Sequence, residues 1–200
     1  NIIANGKDKY TKITEINNLL SIKPVVVEIE SEEANIDQIE QIAYHVTPET
    51  KGPFLRYLIK EQKMNQVLVF VSSTRTADKL VEKLLKNKIR AISIHGQKSQ
   101  SNRKDHLDYF KKGDAQVLVA TDLIGRGIHI DSLPVVINFE LPRSPLDYVH
   151  RIGRTGRANN LGTAITLLTD EELHHFSVIQ RKMGKKVDIK PTDEVNLHGY

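Results

Sequence analysis

The sequence has no cysteine. That excludes disulfides and cysteine-based zinc sites, and it favours a reducing, intracellular compartment: the cytoplasm, or the nucleus if the source is eukaryotic. No apolar run approaches the ~20 residues of a membrane-spanning helix, so no membrane partner is expected. The opening residues, NIIANGKDKYTK, are polar and lack the apolar stretch of a secretory signal. The chain starts at Asn1 rather than methionine and reads as a piece of a longer protein. It has no G-x-x-x-x-G-K-[ST] phosphate loop, no nucleophile elbow and no H-E-x-x-H pair. Without the phosphate loop it cannot cradle a nucleoside triphosphate by itself. His95, His106, His174 and His175 form no pair with a convincing third ligand, so no metal site is predicted. There is no internal repeat and no low-complexity tract.

What is present suits one α/β domain. The 200 residues can bury a substantial core. The net charge of +4 is compatible with nucleic acid without requiring it. Continuous apolar stretches read as strands: VVVEI (25–29), IAYHV (42–46), VLVFV (67–71), AISI (91–94), VLVA (117–120), VVINF (135–139) and TAITLL (163–168). Helix-period segments lie between most of them. One starts at Thr47-Pro48-Glu49, with Phe54, Leu55, Leu58 and Ile59 on one face. Others carry Leu80, Val81, Leu84 and Leu85, or run from Ser99 to Lys111 and from Pro145 to Gly153. Thr169 to Glu172 reads as a capping box for a last helix, with Leu173, Phe176 and Met183 facing inward. Apolar strands alternating with helices indicate a parallel sheet covered on both faces. Residues 30–41 read as an acidic linker, residues 1–24 as the tail of a preceding unit with an amphipathic helix, and residues 184–200 as polar and weakly structured.

Ligands of such sheets bind at the carboxyl ends of the strands, and the unusual polar segments all fall there. SSTR (72–75) follows one strand, HGQ (95–97) another and TDLIGRG (121–127) a third. Hydroxyls and Arg75 at a helix start suit a phosphate, and equally suit an ordinary cap. Gln100 and Arg103 lie three apart, on one face of a helix start. In TDLIGRG, Thr121 offers a hydroxyl and Asp122 a carboxylate, while Gly125 and Gly127 flank Arg126. That segment reads equally as a β-to-α turn with a surface arginine. HRIGRTGR (150–157) is far more specific: three arginines and a histidine with two glycines between them. A solvated basic face needs no glycines at fixed places. The pattern fits arginines held in set geometry for a multiply charged ligand such as phosphate.

The order and spacing of VLVFVSSTRTA, HGQKSQSNR, VLVATDLIGRGIHI and HRIGRTGR resemble the second RecA-like domain of the DEAD-box ATP-dependent RNA helicases. The resemblance implies a RecA-like parallel sheet over residues 42–185, with residues 1–29 a remnant of the first RecA-like domain, 30–41 a linker and 186–200 a polar tail. It implies ATP with Mg²⁺ held mainly by the first domain, which is the partner in cis. Arg154 and Arg157 are then arginine fingers on the γ-phosphate, and His150 and Arg151 couple nucleotide to domain closure. Thr74, Arg75, Gly96, Gln100, Arg103 and Thr121 become the RNA-backbone side, which grips RNA largely without reading sequence. The family has Asp after R-G-I as a ribose contact, where this chain has His129. Asp131 lies two residues on and is the substitute candidate, with Arg126 beside it on the nucleotide side. Rival readings are a DNA-translocating helicase of the same superfamily and a non-catalytic RNA-binding scaffold. The H-R-I-G-R-T-G-R form and the Q-x-x-R pair favour the RNA enzyme.

Overall fold

A computed structural model describes residues 36–122, 130, 132–156 and 162–200. The strand expected at 25–29 and the helix before it lie outside the described residues.

The strands form one parallel sheet: β1 (Ile39–His45), β2 (Val67–Val71), β3 (Ala91–Ile94), β4 (Val117–Thr121), β5 (Val135–Asn138), β6 (Gly162–Leu168) and β7 (Ile189–Lys190). Their spatial order is β3-β4-β2-β5-β6-β1-β7. Every residue of β2 and β4 is buried, which is why both read as unbroken apolar runs rather than alternating ones.

Alternate side chains supply two cores. Val67, Val69, Val71, Val117 and Val119 pack with Phe54, Leu58, Leu80 and Leu84 of α1 (Lys51–Glu61) and α2 (Thr74–Lys86). Leu68, Phe70, Leu118 and Ala120 point the other way, toward Phe110 of α3 (Gln100–Lys111). Further along, Ile39, Ala43, Ala164 and Leu168 pack with Tyr148 and Ile152 of α4 (Pro145–Ile152) and Phe176 and Ile179 of α5 (Asp170–Met183). The sheet is thus covered on both faces, as its composition demands. No helix among the described residues is long and apolar enough to cross a membrane.

Caps set where the helices start. The hydroxyls of Ser73, Ser99 and Ser144 accept the amides of Thr76, Asn102 and Asp147 at 3.0, 3.2 and 3.1 Å. Glu172 takes the Thr169 amide at 2.9 Å, the carboxylate half of the expected capping box. Thr47 works a turn ahead of α1, accepting the Thr50 amide at 3.2 Å.

Two stretches depart from the sequence reading. Strand β1 begins at Ile39, so Ile39, Glu40 and Gln41 of the expected linker belong to the sheet. The reason is register: β1 pairs with β6 over its full length, from Ile39↔Gly162 to His45↔Leu168. The polar C-terminal stretch is also tied down. Ile189 and Lys190 pair with β1, Thr192 donates its hydroxyl to the His45 carbonyl at 2.6 Å, and Tyr200 sits edge-on to Tyr57 at 5.4 Å.

Candidate functional site

The strand order sets the carboxyl ends of β3, β4, β2 and β5 side by side. The HRIGRTGR helix, α4, meets them there. One face of α4 is apolar, with Tyr148 and Ile152 fully buried. Arg151 is buried as well, only 2% exposed. Its Nε donates to Asp122 Oδ1 at 2.5 Å and its Nη2 to Asp122 Oδ2 at 2.8 Å. Its Nη1 donates to Asn138 Oδ1 at 3.0 Å and to the Glu140 carbonyl at 2.6 Å. The Phe70 ring lies 5.0 Å from the guanidinium carbon. Arg151, expected to couple nucleotide to domain closure, joins the ends of β4 and β5 to α4.

Below this joint, Tyr148 Oη and Asn138 Nδ2 meet Thr166 Oγ1 at 3.1 and 3.4 Å. Burial pushes the Tyr148 hydroxyl up to about 12, against the opposing pull of the Thr166 hydrogen bond and the Arg151 charge. His150, next to Arg151, is exposed.

The turn after α4 is pinned. The Gly153 amide donates to Val149 O at 2.9 Å and the Arg154 amide to Arg151 O at 3.2 Å. The Arg154 carbonyl accepts the Leu133 amide at 3.1 Å. Thr155 bridges to Leu133 in backbone pairing, and its hydroxyl donates to the Leu133 carbonyl. Arg154 thus rides on a backbone held from both sides and is itself half-buried. Of the two glycines, only Gly156 uses glycine's freedom, with φ +69°; Gly153 has an ordinary φ of −66°. Arg157 lies outside the described residues, as do Arg126, His129 and Asp131.

On the other side of the joint, the segment after β2 enters α2. Ser73 caps the helix, Thr74 is half-buried and Arg75 exposed. The Ser72 amide donates to Glu140 Oε2 at 2.6 Å and the Ser72 hydroxyl to Leu141 O at 3.4 Å. Gly96, after β3, is exposed. Its neighbour His95 is buried, with Nε2 3.0 Å from Asp78 Oδ1 of α2. The same carboxylate accepts Ser93 Oγ at 2.7 Å and lies 3.6 Å from Lys98 Nζ. Desolvation pushes the Asp78 carboxyl up, but the Ser93 and His95 hydrogen bonds and the nearby cationic charge outweigh it and hold it below the usual range. Asp78 therefore ties α2 to the loop bearing Gly96. Gln100 is exposed at the start of α3, and Arg103 is half-buried three residues on. Thr121, last in β4, is buried. The residues assigned to RNA from sequence fall along the ends of β2, β4 and β3, which are contiguous. Missed by the sequence reading were Glu140, Asn138 and Asp78, which carry no local motif.

Fold and site together define a RecA-like α/β domain whose ligand edge carries fixed arginines but no phosphate loop. The family described as the helicase conserved C-terminal domain matches residues 50–159, and the chain belongs to that family, in its DEAD-box branch. The chain is 39% identical over 164 residues to the ATP-dependent RNA helicase RhlB of Pseudomonas syringae pv. tomato, covering 82% of this chain and 41% of the relative. The structure of a DEAD box protein from Methanococcus jannaschii matches with a TM-score of 0.72 and 36% identity, over 78% of this chain and 42% of that one. S. cerevisiae Dbp5 bound to RNA and ADP BeF3 matches with a TM-score of 0.76 and 28% identity, over 96% of this chain and 51% of that one. The chain spans about two-fifths of the curated RhlB relatives it matches.

Proposed function

We propose that the domain is the closing half of an intracellular ATP-dependent RNA helicase. It presses an arginine turn onto ATP bound by a preceding RecA-like domain while gripping the RNA backbone. The observation that carries this reading is the Arg151–Asp122 joint. It links the end of β4, one residue past Thr121 on the RNA side, to the turn that bears Arg154. One rigid unit can then report RNA engagement to the nucleotide.

The residues present fit one side of a nucleotide. Arg154 sits on a pinned turn and Asp122 is engaged by Arg151, so among the described residues this edge offers cations to a nucleotide. ATP would supply the γ-phosphate on which fixed guanidiniums offset developing charge. Arg126, His129, Asp131 and Arg157 are assigned to the nucleotide on sequence grounds. Residues 1–29 are then the end of the first domain, and the Mg²⁺ ligands lie in that domain. Support for RNA comes from Dbp5, solved with RNA and ADP BeF3.

The test is steady-state ATPase with and without single-stranded RNA. The 200-residue chain alone is expected to be inactive, and the protein that includes a first RecA-like domain to be stimulated by RNA. RNA-stimulated hydrolysis by the chain alone would overturn the reading.

A further inference from the structure

We propose that Glu140 is a positioning residue that locks the RNA-facing start of α2 to the segment holding Arg151. The inference rests on the proposed function and adds a residue to it. Glu140 lies two residues past the end of β5. There the parallel ladders stop: β2 pairs with β5 as far as Phe70↔Asn138 and with β4 as far as Val71↔Thr121. Ser72, exposed, is the first residue beyond both ladders, so its amide takes an acceptor from outside the sheet. The Glu140 carboxylate supplies it at 2.6 Å, a short charge-assisted bond. The amides of Phe139 and Glu140 both donate to Phe70 O, at 3.0 and 3.2 Å, so the Glu140 backbone is fixed on β2. The Glu140 carbonyl accepts Arg151 Nη1 at 2.6 Å.

One residue therefore touches both halves of the site. Its carbonyl belongs to the arginine joint. Its carboxylate sets where Ser72 ends and where Ser73 caps α2, which in turn places Thr74 and Arg75. Loss of the side chain leaves the Arg151 joint intact, because that contact is made by backbone. What loosens is the position of the first turn of α2 relative to it. The consequence is specific: weaker engagement of RNA, with the chemistry on ATP unaltered once RNA is bound.

The test is ATPase of the full-length protein titrated with a single-stranded uridine homopolymer, on wild type, Glu140→Ala, Glu140→Gln and Glu140→Asp. Glu140→Ala is expected to raise the RNA concentration for half-stimulation about 5–10-fold, as loss of one such hydrogen bond implies. Turnover at saturating RNA and KM for ATP stay within about twofold on the same grounds. Glu140→Gln keeps an acceptor oxygen at the same reach and stays near wild type. Glu140→Asp is one methylene short and behaves like Glu140→Ala. If Glu140→Ala does not fold, the contrast between Gln and Asp carries the test. Unchanged half-stimulation in Glu140→Ala or Glu140→Asp, or a Gln variant as impaired as Ala, overturns the proposal. A wild-type protein with no RNA stimulation overturns the proposed function and this inference with it; stimulated wild type with unaltered variants overturns this inference alone.

Discussion

Arg151 and Asp122 form a two-pronged pair, Nε to Oδ1 at 2.5 Å and Nη2 to Oδ2 at 2.8 Å, across the carboxyl edge of the sheet. The arginine side chain is 2% exposed and the aspartate side chain 33%. The planar fork matters here, because Nη1 must also serve Asn138 and the Glu140 carbonyl. Arg151→Lys keeps the charge and loses the fork, leaving buried acceptors short of donors. It is expected to cost about 3 kcal/mol of stability, read as a lowered urea midpoint at unchanged m. Combined with Asp122→Asn, the loss should be smaller than the sum of the singles, since both act on one contact. Strict additivity would show that the pair is not coupled.

Gly156 gives a second prediction. At φ +69° its added Cβ would stand 2.6 Å from Ile39 Cγ1. Gly184 has φ +72° and nothing within 4 Å of the same added atom. Gly184→Ala should therefore carry only the left-handed backbone penalty, about 1–2 kcal/mol. Gly156→Ala adds the collision with β1 and should cost about 1–3 kcal/mol more. Equal losses in thermal unfolding would mean that the β1 contact yields freely.

These contacts show how far the sequence reading reached. VLVFV and VLVA were readable as strands because burial on both faces leaves an unbroken apolar run. HRIGRTGR was readable because glycine and arginine spacing survives without tertiary context. The start of β1 was not, since Glu40 and Gln41 are polar and their place comes from pairing with β6. Nor was the C-terminal stretch, whose two-residue strand and scattered hydroxyl bonds from Thr192 and Tyr200 leave no period. Arg151 showed its type, but the partners that bury it, Asp122, Asn138 and Glu140, lie in separate segments and carry no local signal. Glu140 reaches Ser72 across 68 residues and Asp78 reaches His95 across 17, distances at which local pattern carries no signal.

Asp78 makes the protein sensitive to acid. Its carboxyl lies below the ordinary value in the folded state. The unfolded chain therefore takes up that proton first as pH falls, so the contribution is full at neutral pH and is lost below about pH 4. The side chain is 53% exposed, so solvent screening limits the effect to at most about 1 kcal/mol. Unfolding free energies at pH 7 and pH 3 should differ less in Asp78→Asn than in wild type. An identical pH difference in both would remove Asp78 from the acid response.

Arg103 tests the RNA side. It is half-buried on α3, and its Nε has no hydrogen-bond partner among the described residues. A guanidinium three residues on from the exposed Gln100, on the same face of α3, suits a phosphate. Arg103→Ala should weaken binding of the full-length protein to single-stranded RNA about equally for all sequences. It should also reduce the salt dependence by about one phosphate contact. An unchanged slope in a fluorescence titration would place Arg103 off the RNA path.

Arg154 decides between a nucleotide turn and a basic RNA patch. Its backbone is held on one side by Arg151 O and on the other by the Leu133 amide, so the guanidinium starts from a fixed origin. A fixed origin gains little for RNA, whose phosphates can shift to meet a mobile cation. It matters for a transition state, where charge must already stand at the right place. Lysine at this position keeps the charge but not the planar fork. Arg154→Lys should therefore lower RNA-stimulated turnover by about 10³-fold, as loss of an arginine finger does. Affinity for RNA without nucleotide should stay near wild type, because the phosphate served belongs to ATP. The measurement is steady-state ATPase of the full-length protein, with RNA affinity determined in parallel by fluorescence titration. Near-wild-type turnover in Arg154→Lys, or loss of RNA binding ahead of turnover, would make HRIGRTGR an RNA-binding segment and move the nucleotide contact elsewhere.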